Sequence, residues 1–214
     1  MNCDQKEILA RLKAEHPALC KLIPQVEEAF ALLKSAYDAG GKVMICGNGG
    51  SAADSEHIVG ELMKGFLKKR PIKGAQRAAF DALDGLPAGF ADKLQGALPA
   101  IALPCHTSLT SAYSNDVAAD MIFAQQVFGY GKPGDVLIAL STSGNSKNVV
   151  NAVWAAKAAG VKTIAITGEK KSALSELCDV CLSTPSHETY RVQEYTLPLY
   201  HALCALIEAE YFAE

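Results

Sequence analysis

Short β-rich runs alternate along this chain with longer stretches of helical period, and that alternation most narrows what the chain can fold into. The clearest runs are 42–46, 100–103, 135–141, 162–167 and 180–184. Helical segments fit 5–15, 18–38, 51–66, 117–129, 146–159 and 188–212, with Gly40-Gly41 and Gly160 as stops before strands. Strands separated by helices of this length pair in parallel, because each helix is the crossover that carries the chain back. The expectation is an α/β fold on a five-stranded sheet.

The helices outnumber the crossovers. In the second of an extra N-terminal pair, Val26, Phe30, Leu33 and Tyr37 share one face, which can cover the sheet or join a neighbouring subunit. Residues 68–98 break the alternation: the basic cluster Lys68-Lys69-Arg70 and Pro71 lead into Gly-containing turns and a short helix over 90–94. That stretch reads equally as a lid or as a surface insertion.

At 214 residues the chain suits one domain with appended elements. Half of it is apolar and 20% charged, which excludes disorder as its main state. A net charge of −3 gives no global field toward nucleic acid or an anionic membrane and leaves only a local basic patch open. No apolar run approaches the roughly 18 residues of a membrane span, and the first residues lack a basic, apolar leader, so a cytoplasmic protein is expected. The seven cysteines have no framework spacing, and Cys178-x-x-Cys181 runs into a strand instead of opening a helix. They read as packed, reduced thiols.

Two strand-to-helix loops carry chemistry. Gly47-Asn48-Gly49-Gly50-Ser51 lets backbone N–H groups approach an anion at a helix start, although any tight turn uses glycine. Ser141-Thr142-Ser143-Gly144-Asn145-Ser146 gathers four hydroxyls at another helix start, where one alone would be an ordinary cap. Neither loop is a dinucleotide fingerprint or a Walker sequence, so no nucleotide cofactor is expected, and a phosphomonoester such as a sugar phosphate fits better. At the carboxyl edge of a parallel sheet the two loops would wall one pocket. His57 and Glu61, four apart on the first loop's helix, share a face, as do Gln193 and His201 if the last helix continues through Pro198. Taken alone, either pair is more often structural than chemical.

Together the segments GNGGSAADSEHIVGEL, YSND, GDVLIALSTSGNS and RVQEYTLPLYH resemble the sugar isomerase (SIS) domain family, in its phosphoheptose isomerase branch. The resemblance runs from Lys42 to the C-terminus. It implies a three-layer, flavodoxin-like sandwich over 42–214 with an insertion near 68–98, an N-terminal helical segment over 1–41, and a homotetramer whose active sites form between subunits. It also implies that Ser51, Ser141, Ser143 and Ser146 hold a phosphate, with Thr142 supporting the loop and Asn48 and Asp116 contacting the sugar. His57, Glu61, Gln193 and His201 match the family's inward-facing quartet, a zinc site in some members. Gln193 thus counts as a substrate contact and a metal ligand, and Glu61 and His201 as the acid and base. The implied reaction is isomerisation of sedoheptulose 7-phosphate to a manno-heptose 7-phosphate through an enediol. The longer 68–98 stretch, and Tyr190 where an acidic sugar contact is usual, leave the substrate open to a different phosphosugar. A non-catalytic SIS sensor, or a scaffold of the DnaA initiator-associating type, is the other class of reading. Glu61 argues against that scaffold, which lacks the carboxylate. His106 and His187 are assigned no role.

Overall fold

In a computed structural model that describes residues 1–212, the apolar runs form β1 (Val43–Cys46), β2 (Ala100–Ala102), β3 (Val136–Leu140), β4 (Lys162–Thr167) and β5 (Val180–Ser183). They make one parallel sheet in the order β2-β1-β3-β4-β5, with Val43 opposite Ala100 on one side and Val136 on the other. The two-residue period of a strand sorts its side chains into two cores. Val43, Ile45, Val136, Ile138, Ile164 and Ile166 point into one, whereas Met44, Cys46, Leu137, Ala139 and Ala165 point into the other. Burying a Val, Leu or Ile side chain contributes roughly 1.5–3 kcal/mol, so each face holds its helices firmly.

The first core is covered by α1 (Cys3–Glu15), α2 (Ile23–Asp38), α3 (Gly50–Met63) and the long α9 (Thr189–Tyr211). The N-terminal pair therefore packs on its own chain: Leu9, Leu12, Val26 and Leu33 join the cluster that holds Leu199, Leu203 and Leu206. A short α4 (Gly74–Asp81) stands outside both cores, and α5 (Thr107–Tyr113) precedes α6 (Ile122–Tyr130). The second core is covered by α6, α7 (Lys147–Ala158) and the single turn α8 (Ala173–Leu177).

Several expected boundaries move for local reasons. The helix expected over 18–38 starts at Ile23, because Pro17 and Pro24 cannot donate in a continuous ladder and 17–22 takes a 3-10 path. The helix expected over 51–66 stops at Met63, where the chain turns extended at Lys64. The one expected over 117–129 begins at Ile122, after a π-turn and a 3-10 turn. Within 68–98 the helix falls at Gly74–Asp81, and the expected one near 90–94 is only a 3-10 turn, Ala91–Lys93. The base of that excursion is closed by a bridge between Pro71 and Gln95. Helix α9 does continue through Pro198, which places Gln193 and His201 on one helix. Among the described residues no helix is long and apolar enough to cross a membrane.

Candidate active site

Strands β1 and β3 are neighbours whose outer partners, β2 and β4, lie on opposite sides. The chain leaves such a pair in opposite directions, which opens a crevice at their carboxyl ends, and both loops emerge there. Paired side-chain amides tie them together: Asn48 Nδ2 donates to Asn148 Oδ1 at 2.9 Å, and Asn148 Nδ2 returns to Asn48 Oδ1 at 2.8 Å.

In the first loop Gly49, at φ +55°, precedes α3, whose first turn carries the buried Ser51. In the second, Ser141 is buried with its Oγ 3.0 Å from that of Ser146, while Ser143 is exposed and accepts from the Asn145 N–H at 3.2 Å. Ser146 sits at the N-cap of α7, yet its side chain makes no capping bond. The helix start thus keeps open donors for an anion. Gly144 is required twice over, by φ +66° and because a Cβ there would lie 2.1 Å from Ser172 Oγ. Thr142 braces the loop through its carbonyl, which accepts from the Gly168 N–H at 3.1 Å. Asp116 stands apart: it is exposed in the π-turn Ser114–Ala118 and accepts from Asn115 Nδ2 at 2.8 Å.

Helices α3 and α9 bring three of the quartet together. His57 Nε2 is 3.2 Å from Glu61 Oε1, and the His57 and His201 rings meet edge to face with centroids 5.0 Å apart. Glu61 is buried, and Lys64 Nζ approaches its other oxygen at 3.3 Å. Burial, reinforced by His57, pulls the His201 imidazole below its ordinary range, and the Glu61 carboxylate opposes that shift. Gln193 lies two turns earlier on α9, against the first loop: a Cβ on Gly50 would be 2.6 Å from its Nε2. His201 also borders a cavity of about 220 Å³ between α1 and α9, lined in part by Arg11, His16 and Phe66.

Two imidazoles, a carboxylate and an amide oxygen suit a divalent ion in kind, and His201 Nε2 is buried with no hydrogen-bond partner. Among the described residues, however, no three His, Cys, Asp or Glu side chains are drawn around one point as a metal cage.

Five supporting residues escape the sequence reading. Tyr200 Oη lies 2.9 Å from His57 Nδ1 and donates to Asp54 Oδ1 at 3.3 Å. Desolvation pushes the Asp54 carboxyl up, while the Tyr200 bond and His57 pull it back. Lys64 flanks Glu61 as described. Arg70, which the sequence shows only as part of a basic cluster, is fully buried: Nε donates to Glu208 at 2.8 Å, and its other nitrogens donate to the carbonyls of Leu62 and Glu61 at 2.7 and 3.0 Å. Glu208 in turn accepts from the N–H groups of Phe66, Leu67 and Lys68, so it locks the end of α3 onto α9. The available signals were faint: Asp54 one turn before His57, and Glu208 as the first charge after an apolar helical run.

The family model for the SIS domain matches residues 16–82 and 75–168. A curated phosphoheptose isomerase from Rhodospirillum rubrum is 40% identical over 185 residues, 86% of this chain and 85% of that protein. One from Citrifermentans bemidjiense is 36% identical over 212 residues, 97% of each. Among solved structures, phosphoheptose isomerase GmhA from Neisseria gonorrhoeae superposes with a TM-score of 0.73 at 33% identity, over 94% of this chain and 93% of that one. A phosphoheptose isomerase from Francisella tularensis gives 0.72 at 28% identity, over 97% and 99%.

Proposed function

The chain belongs to the SIS domain family, within the phosphoheptose isomerases, and from that membership we propose that it interconverts sedoheptulose 7-phosphate and a manno-heptose 7-phosphate at the crevice between its two loops. The observation that carries the reading is the pairing of an anion cradle at one end of α3 with a buried carboxylate among histidines at the other. Ser51 and Glu61 are ten residues apart, about 15 Å along a helix. The Glu61 side chain, tilted toward the helix N-terminus, leans back along that length toward the cradle.

Ser51, Ser141, Ser143 and Ser146, with the free amides of α7, hold the phosphate, and Thr142 braces them. Asn48, Asp116 and Gln193 contact the sugar, Asp116 after movement of its exposed turn. Glu61 and His201 carry the proton. One removes it from C1 of the ketose while O2 gains a proton, giving the enediol; return of a proton to C2 with loss of the O1 proton completes the aldose. The burial of Glu61 and the desolvation that lowers the His201 imidazole support this assignment, since both favour an acceptor ready to take the proton. If a zinc ion is bound, His57, Glu61, Gln193 and His201 would hold it, and it would supply polarisation of the substrate oxygens.

Assembly as a homotetramer with shared sites belongs to the same proposal, supported by the exposure of Phe128 and Trp154, 76% and 55%. So does a cytoplasmic location, supported by seven free thiols. The test is product analysis against a panel of sugar phosphates. Conversion of sedoheptulose 7-phosphate to an aldoheptose 7-phosphate is expected. Tight binding across the panel without turnover would contradict the enzyme and favour a sensor.

A further inference from the structure

Two side-chain amides meet across the crevice, Asn48 in the first loop and Asn148 in the first turn of α7. The backbone settles which way they face. The Asn148 atom 3.0 Å from the Val149 N–H is its Oδ1, because an amide nitrogen there would set donor against donor. With Asn148 so turned, only one orientation of Asn48 pairs with it: Asn48 Nδ2 donates to Asn148 Oδ1 at 2.9 Å, and Asn48 Oδ1 accepts from Asn148 Nδ2 at 2.8 Å. The two bonds close a ring that holds both amide planes against rotation. What each amide has left differs. The Asn148 oxygen already accepts twice, from Asn48 and from Val149, and so ties the pair to the helix. Asn48 is exposed and keeps one N–H and one carbonyl lone pair.

We infer that Asn148 is a positioning residue: it holds the Asn48 amide in the orientation that receives the hydroxyls next to the phosphate of a polyol phosphate. Asn48 sits three residues before Ser51, at the edge of the anion cradle. A polyol whose phosphate lies in that cradle carries its nearest hydroxyls past the same loop, and a hydroxyl, which donates and accepts, can use either free group of Asn48. A side chain that its ligand must first order costs affinity, whereas one already held does not. Asn148 therefore acts through Asn48 and not on the reacting carbons. The choice of sugar rests on the isomerase reading of the site; the placement of the two amides does not. A plain strut between the loops would behave differently, because loosening the walls of the cradle weakens every phosphate alike.

Calorimetry separates the two, with sedoheptulose 7-phosphate and inorganic phosphate as probes and with Asn148→Ala, Asn48→Ala and the double variant beside the wild type. Alanine is the best helix former, so α7 should be kept, and the urea midpoint checks the fold. Asn148→Ala should weaken the sugar phosphate roughly 3- to 10-fold, the worth of one or two neutral hydrogen bonds, and leave inorganic phosphate within about 2-fold. In the Asn48→Ala background the same change should cost the sugar phosphate nothing further, since the group it positions is gone. In turnover, KM of Asn148→Ala should rise while kcat stays near wild type, as for a contact made equally in ground and transition states. Equal losses for both probes, additive losses in the double variant, or unchanged affinity for the sugar phosphate would overturn the inference. A wild type that binds the sugar phosphate but turns nothing over would remove the isomerase reading alone, and the affinities would still decide the role of Asn148.

Discussion

At Gly144 the second loop turns with φ +66°, and an added methyl would meet Ser172 Oγ at 2.1 Å and Thr167 Oγ1 at 2.7 Å. Gly144→Ala should therefore displace Ser143 and Ser146 and weaken phosphosugar affinity more than it lowers stability, a difference that calorimetry and urea unfolding read separately. Affinity equal to wild type would move the phosphate elsewhere. His201 carries a pH signature. Burial depresses its folded value below the ordinary 6.5, so the folded protein binds fewer protons than the unfolded chain. Its contribution to stability is present above pH 6.5 and is lost as pH falls from there toward the folded value. The unfolding midpoint of metal-free protein should fall with pH in that window, and His201→Asn should flatten the slope. Loop position showed the hydroxyls and helical spacing showed which face His57 shares with Glu61, whereas the roles given to His57, Glu61 and His201 came from the resemblance to the family. Tyr200 and Asp54 were not legible, because a tyrosine in an apolar helix run looks like core until the partner of its hydroxyl is known.

At the scale of elements, α3 and α9 bring His57, Glu61 and His201 together, and the Arg70–Glu208 pair joins the two helices. Its side chains are 0% and 1% exposed, so removing one partner strands a charge in the interior. Glu208→Ala should cost about 3–5 kcal/mol in urea unfolding, and Glu208→Gln less, since an amide oxygen can still accept from Arg70 and the 66–68 backbone. A loss within 0.5 kcal/mol, on the scale of an ordinary surface change, would show that the clamp is not needed. The strands were legible almost to the residue, because apolar β-rich runs bounded by Gly and Pro have few other readings. The 3-10 path at 17–22 ahead of α2 and the π-turn at Ser114–Ala118 were not, since both depend on how a segment satisfies its backbone bonds after packing. The role of Arg70 was hidden for a related reason: nothing in a basic triplet shows that a buried acid on a distant helix pairs with one member.

At the scale of the whole molecule, alternation of strands and helices fixes a parallel sheet but not which strand lies beside which. The order β2-β1-β3-β4-β5 follows from long-range packing, and it is what sets the two loops side by side. Exposed Phe128 and Trp154 lie on α6 and α7, away from α3 and α9, and light scattering should return the mass of four chains if that face is covered by copies. A monomer at micromolar concentration would remove the shared-site proposal. The central claim is that Glu61 and His201 move a proton between C1 and C2 of sedoheptulose 7-phosphate. It is tested most directly by following that substrate in D₂O by NMR, with wild type and with Glu61→Gln. The wild type should form an aldoheptose 7-phosphate carrying deuterium at C2, and Glu61→Gln should bind the substrate yet turn it over roughly 10² to 10⁴ times more slowly. Wild-type turnover by Glu61→Gln, with the same deuterium at C2, would contradict the account.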